Sequence, residues 1–194
     1  MSVIRTNGSI GVRRYRPEDV APFFDAAHES ALDINPWMEW CHPDYSLDEA
    51  REWVLSQDAM WDSKVYSLII EDLPSGTILG SVGINRLDPI HHRGNLGYWV
   101  RSSATRRGIA ARAAALAAIF GFEELDLIRL DVLVGLENVA SRRVAEKIGA
   151  SFEGVMRHGL YVHGTPMDAA LYSLIREDLD DVKAVASAQS LHHG

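Results

Sequence analysis

The chain has one cysteine, Cys41, in 194 residues. A lone thiol excludes an intrachain disulfide framework and, without a cysteine partner, argues against zinc, so no metal centre is expected. No stretch approaches the roughly 20 apolar residues of a membrane span. The opening Met1-Ser2-Val3-Ile4-Arg5 lacks the apolar core of a signal peptide. These absences point to a cytoplasmic protein. Basic charge is scarce as well: 19 Lys and Arg stand against 27 Asp and Glu, a formal net charge of −8. That balance excludes a broad basic surface gripping nucleic acid, while leaving room for a local basic pocket. Internal repeats and a linker are also missing, and an apolar content of 47% suits one folded domain.

Periodicity supplies the element order. Residues 10–14 read as a strand, followed by Pro17-Glu18-Asp19 as a helix start running to about Glu29. Ser46 and Glu49 form a capping box for a helix whose Leu47, Ala50, Trp53 and Val54 share a face. Strands are expected at 65–71, 77–86 and 94–101, an antiparallel meander, then a helix over 106–122, a strand over 128–134 and a helix over 138–148 stopped by Gly149. A hairpin closes the order, 151–157 with 167–176 around His163-Gly164-Thr165. Residues 1–178 are expected to form the domain and 179–194 a C-terminal tail with weak core signals that frays.

The segment Thr105-Arg106-Arg107-Gly108-Ile109-Ala110 is the strongest chemical signal. A helix N-terminus leaves about four N–H groups unpaired and carries roughly half a positive charge. Two arginines there are unfavourable unless an anion is bound, and helix N-termini bind phosphate for this reason. Gly108 allows a close approach and an unrestricted φ.

Placed after Leu96-Gly97-Tyr98-Trp99-Val100, this loop resembles the phosphate loop of the GNAT superfamily of acyl-CoA-dependent N-acetyltransferases. Arg16-Pro17-Glu18-Asp19, the run from Asn138 through Ser141 to Gly149, and Phe152-Glu153-Gly154 are similar to its ribosomal-protein N-terminal (RimJ/RimL-like) branch. The resemblance implies an α+β fold with a mostly antiparallel central sheet flanked by helices and splayed between its fourth and fifth strands, 94–101 and 128–134. It implies acetyl-CoA in that splay, its pantetheine arm against backbone near Trp99 and Val100 and its pyrophosphate on the amides of Arg106, Arg107, Gly108, Ile109 and Ala110. Thr105 departs from the family's usual Gln or Arg, which shifts weight onto backbone amides and Arg106. Asn138 matches a position that bonds the pantetheine arm; as a plain helix residue it would be an N-cap.

In the family's reaction an amine attacks the thioester directly, within a ternary complex. Ser141 matches a hydroxyl placed to protonate the leaving thiolate; its alternative role is to satisfy the first helical turn. A backbone N–H near Trp99 is the expected oxyanion donor. The glutamates that relatives carry at Asn95 or Leu160 are missing, which leaves Asp168, His91, His92 and His158 as titratable candidates. Without a strong base, a protein N-terminal α-amine or a small amine suits the site better than lysine. Trp37, Met38, Trp40 and Trp61 would wall the acceptor groove, with Asp33, Glu39 and Asp44 favouring a cationic acceptor. A homodimer is a further expectation. Two alternatives stay open: another acyl-CoA, such as succinyl-CoA, or a non-catalytic acyl-CoA sensor.

Overall fold

A computed structural model describes residues 4–188. The chain forms β1 (Arg5–Thr6), β2 (Ile10–Arg13), α1 (Val20–Ile34), α2 (Leu47–Asp62), β3 (Tyr66–Asp72), β4 (Ile78–Asp88), β5 (Arg93–Val100), α3 (Ile109–Glu123), β6 (Arg129–Gly135), α4 (Val139–Lys147), β7 (Ser151–Val162), β8 (Thr165–Ile175) and α5 (Leu179–Ser187). The eight strands make one sheet in the order β1-β2-β3-β4-β5-β6-β8-β7. Because β1 adds a short strand at the start, the expected fourth and fifth strands are β5 and β6.

The meander β3-β4-β5 is antiparallel, as is the β7-β8 hairpin. Only β5 and β6 run parallel, with α3 making the crossover that a parallel pair requires. Alanine is the best helix former and the smallest side chain that still covers backbone. Its abundance in α3 lets that helix lie close to the sheet: a Cβ added at Gly121 would stand 2.7 Å from Ile84 Cδ1. One core joins α3 and α5 to Leu68, Val82, Ile84, Leu96, Leu130 and Val132 on one sheet face. A second joins α1 and α2 to Ile69 and Ile78 on the other.

The capping box of α2 forms, with Ser46 N–H donating to Glu49 Oε2 (2.9 Å) and Glu49 N–H to Ser46 Oγ (3.3 Å). Ala50 and Val54 are buried, whereas Leu47 and Trp53 stay more than a third exposed. At the start of α1, Arg13 donates to both carboxylate oxygens of Asp19 (2.7 and 2.8 Å), an ion pair that is almost wholly buried.

Several boundaries differ from expectation, among them the closing hairpin, where β7 runs to Val162 and β8 begins at Thr165. Helix α1 continues to Ile34 because Ala31 and Ile34 are buried beyond Glu29. Helix α3 begins at Ile109, so Arg106 and Arg107 precede it: Gly108 is its N-cap at φ 71°, a left-handed conformation that ends the preceding loop. Residues 179–187 form α5, with Val182 and Ala186 buried in the core. Residues 1–3 of the N-terminal reading and 189–194 of the expected tail lie outside the described residues.

Candidate active site

The site is built where β5 and β6 part. Their register holds for Arg93–Arg129, Gly94–Leu130 and Asn95–Asp131 and then stops, although β5 runs on to Val100 and β6 to Gly135. Strand geometry decides which groups face the gap. Arg101 N–H donates to Leu79 O (2.8 Å) on the β4 side, and Ile128 N–H donates to His92 O (2.8 Å) on the β6 side. Backbone groups alternate between neighbours. Trp99 therefore faces β4, while Tyr98 and Val100 turn their N–H and C=O toward the gap. This corrects the expectation for Trp99, whose contribution is its indole: it packs edge-on to Phe23 (5.6 Å) and beside Trp40 (5.6 Å).

At the wide end of the gap stands the arginine loop. Arg106 (φ 61°) and Gly108 (φ 71°) are left-handed, and Thr105, Arg106 and Arg107 are exposed. Ile109 is buried by its side chain, so only its amide is available to a ligand; Ala110 is half-buried beside it. Thr105 Oγ1 is turned back onto Ser102 O (2.9 Å). Two cations that sequence reasoning passed over complete the loop. Lys147, at the end of α4, has its Nζ 3.5 Å from where a Gly108 Cβ would stand. Arg112 is buried and donates from Nη2 to Arg107 O (3.3 Å); burial, and secondarily the Arg107 charge, lowers its pKa. A single arginine inside an alanine run was the available signal.

The segment leading into this loop is clamped by α1. Glu29 accepts from Arg101 Nε (3.1 Å) and Ser103 N–H (2.8 Å), Ser30 Oγ accepts from Ser102 N–H (3.0 Å), and Asp33 accepts from Ser102 Oγ. These bonds, Arg101 above all, hold the Glu29 carboxyl down at about 2. Asp33 thus serves the clamp and not the acceptor groove.

Helix α4 approaches the gap end-on. Asn138 is its N-cap, with Oδ1 accepting from Ser141 N–H (3.0 Å), which leaves its NH2 group and the second lone pair of Oδ1 to offer a ligand. Ser141 Oγ donates to Tyr98 Oη (3.2 Å), and Tyr98 Oη donates to Ser141 O (3.0 Å). Burial raises the Tyr98 phenol to about 12.

Residues 9–151 match the acetyltransferase (GNAT) domain family. The chain belongs to the GNAT acetyltransferases. YdaF of Bacillus subtilis, named as a candidate ribosomal N-acetyltransferase, is 26% identical over 94% of this chain and 100% of its own length. The ribosomal-protein-serine acetyltransferase of Escherichia coli is 20% identical over 89% of this chain and 96% of its own. Among solved structures, Mycobacterium smegmatis RimJ in complex with CoA-disulfide superposes with a TM-score of 0.82 at 24% identity, covering 93% of this chain and 90% of that one. That structure shares the fold.

A GNAT acetyltransferase uses acetyl-CoA, and the residues here fit it. The opened β5 backbone gives an edge for an extended amide chain, and the left-handed loop, Lys147 and the α3 N-terminus give a cationic seat for a diphosphate.

A cavity of about 740 Å³ runs from the paired end of β5 and β6, at Arg93 and Arg129, past Asn95 and Asp131 to Leu133, Met156 and Leu171. Its acids are already matched: Asp131 and Glu153 to Arg129 (2.7 and 2.6 Å), Asp88 to Arg93 (3.3 Å). Of the aromatic wall, Trp40 stands beside Trp99, and Trp37 lies against Gly135, within 3.1 Å of where its Cβ would stand. Met38 packs into the α1–α2 core. Trp61 is elsewhere, packed on Tyr66 and Phe120 of the other core. Glu39 accepts from His163 N–H, and His163 Nε2 donates to Asn35 O (2.8 Å), so the β7–β8 turn is tied to the loop after α1.

The candidate bases fare poorly. His91 and His92 lie at the paired end of β5, roughly 25–30 Å of extended chain from Val100. The Asp168 carboxylate accepts from His158 N–H (2.9 Å) and supports a bulge. Asn95 donates to Asn85 Oδ1 (3.1 Å), and Leu160 is paired with Met167 in the hairpin.

Proposed function

We propose that this acetyltransferase acts on the α-amine of a protein N-terminus. The observation that carries the reading is the absence, among the described residues, of a carboxylate or imidazole held ready at the gap. An α-amine with a pKa of about 8 is roughly a tenth neutral at pH 7, whereas a lysine near 10.4 is neutral in fewer than about one molecule in a thousand. A site that cannot strip a proton from lysine still meets a usable fraction of N-terminal amines. Support also comes from the E. coli relative, named for ribosomal-protein serine. A Spermidine N(1)-acetyltransferase of E. coli is 30% identical over 46% of this chain, but the three acids of the 740 Å³ cavity, Asp88, Asp131 and Glu153, share its lining with Arg86, Arg93 and Arg129 and offer a polycation little.

Acetyl-CoA, when bound, supplies an activated thioester. The chain's own groups then divide the work. The Arg106–Ala110 amides and Lys147 hold the diphosphate, the Val100 and Tyr98 backbone aligns the arm, and one of their N–H groups stabilises negative charge on the carbonyl oxygen. Ser141 Oγ holds a proton for the departing sulfur. As the new C–N bond forms and the C–S bond breaks, the amine's proton passes to solvent water and Ser141 Oγ gives its own proton to the sulfur. The same solvent returns one to the serine oxygen, so amine and thioester become amide and thiol with no net proton change.

The test compares matched peptides, one with a free N-terminus and no lysine, one N-blocked with a single lysine. Acetylation of the first alone is expected; comparable rates on both would sink the reading. A cytoplasmic homodimer completes the proposal, supported by β7, an outer edge strand twelve residues long with Phe152, Val155, Met156 and Tyr161 exposed. A monomeric mass in solution at micromolar concentration would refute that part.

A further inference from the structure

Helix α4 is pinned from both sides of the gap by tyrosine hydroxyls. From β8, buried Tyr172 donates to Glu146 Oε1 (3.0 Å) and accepts from Arg142 Nε (3.2 Å). From β5, Tyr98 donates to Ser141 O (3.0 Å) and accepts from Ser141 Oγ (3.2 Å). The two anchors differ in one respect. Tyr172 meets the middle and last turns of the helix, while Tyr98 meets the one residue whose hydroxyl faces the reacting end. Beyond Asn95 the strands β5 and β6 share no register, so the Tyr98 bonds join β5 directly to the first turn of α4, beside the packing of α4 on α3.

We infer that Tyr98 is a positioning residue that sets the rotamer of Ser141 and so aims its hydroxyl at the departing sulfur. This rests on the role given to Ser141 above. A serine hydroxyl rotates freely unless a partner holds it. The Tyr98 oxygen lies within hydrogen-bond distance of both the carbonyl and the Oγ of that residue, which restricts χ1 while, in this arrangement, the Oγ proton is donated to the phenol. The phenol stays protonated across the working range because burial keeps its pKa high. When the phenol swings its proton from Ser141 O to Oγ, the serine accepts there and its own proton is freed to point at the sulfur.

Two readouts separate this role from simple packing. Ser141→Cys converts the hydroxyl into a titratable thiol, and the native Cys41 will not compete because it is buried and burial raises its thiol to about 11. Alkylation rates against pH, measured without any ligand, should give the introduced thiol a lower pKa in S141C, beside Tyr98, than in S141C/Y98F, by about half a unit or more. Equal values would overturn the inference, since they would mean that the phenol does not reach the side-chain atom. The second readout is a cycle of kcat values. Y98F, which keeps the ring in the core, should lower kcat about tenfold with acetyl-CoA affinity within twofold, and should have no further effect in S141A. The same loss in both backgrounds would reduce Tyr98 to packing and overturn the inference while sparing Ser141. A wild-type kcat in S141A would overturn both.

Discussion

Replacing Gly108 tests the anion seat from two directions. The residue is left-handed at φ 71°, and an added Cβ would meet nothing nearer than Lys147 Nζ at 3.5 Å. Gly108→Ala therefore causes no clash and costs only its backbone conformation, about 1–2 kcal/mol, which for a domain of this size lowers Tm by roughly 2–8 °C. Gly108→Asp is different, because Asp tolerates the left-handed region better and its carboxylate would sit beside Lys147. Stability should then fall less than in the alanine variant. Binding should fall far more. At a separation of about 5 Å, each phosphate charge repels the new carboxylate by about 1 kcal/mol at a water-like dielectric and about 3 kcal/mol at an effective value of 20. With two charges, partial screening and the loss of Lys147 as a free cation, we expect about 2–4 kcal/mol, or roughly 30- to 700-fold weaker affinity. Calorimetric titration of CoA at fixed ionic strength measures this, with pantetheine, which lacks the diphosphate, as the control. Unchanged CoA affinity in Gly108→Asp, or an equal loss for pantetheine, would refute the assignment of the loop.

Two further expectations concern the framework. The Glu29 carboxyl is held near 2, below its ordinary 4.5, by Arg101 first and by Ser103. Its contribution to stability is complete above about pH 4.5 and is lost as pH falls toward 2. After discounting for partial exposure it amounts to about 1–2 kcal/mol. Glu29→Gln should thus lower the urea midpoint at pH 7, with the gap to the wild type narrowing below about pH 4.5 and closing only at about pH 2 and below; a constant difference across that range would contradict the clamp. Asp19→Ala strips the carboxylate from a buried arginine and should cost about 3–5 kcal/mol by chemical denaturation. A cost below about 1 kcal/mol would show that Arg13 finds water or leans wholly on Glu71, its other partner at 3.0 Å.

Local patterns were readable because their causes are local. The box at Ser46 and Glu49 is a reciprocal pair of bonds four residues long, and it forms as the spacing requires. The meander and the closing hairpin follow from alternation and turn residues. Where sequence reading erred, a distant contact decided. Helix α1 runs past Glu29 because its last two turns have a core to cover, and α5 forms because α3 supplies a surface for Val182. Trp61 has the composition of a groove wall, but Phe120, 59 positions away, draws it into the other core.

The acetyl donor is written in the residue order alone. The succession of elements, the arginines before Gly108 and the run from Asn138 to Gly149 carry the resemblance to GNAT acetyltransferases that implies acetyl-CoA, since each depends on residues close together in the chain. How that cleft is furnished is a matter of folding. Whether Trp99 or Val100 faces it depends on which neighbour β5 bonds at Arg101. Lys147 and Arg112 reach the loop through the packing of α4 and the burial of α3, and Tyr98 meets Ser141 across 43 positions. Strand alternation and helix packing convert a one-residue shift into the opposite side of a sheet, so these pairings had no local signature to read.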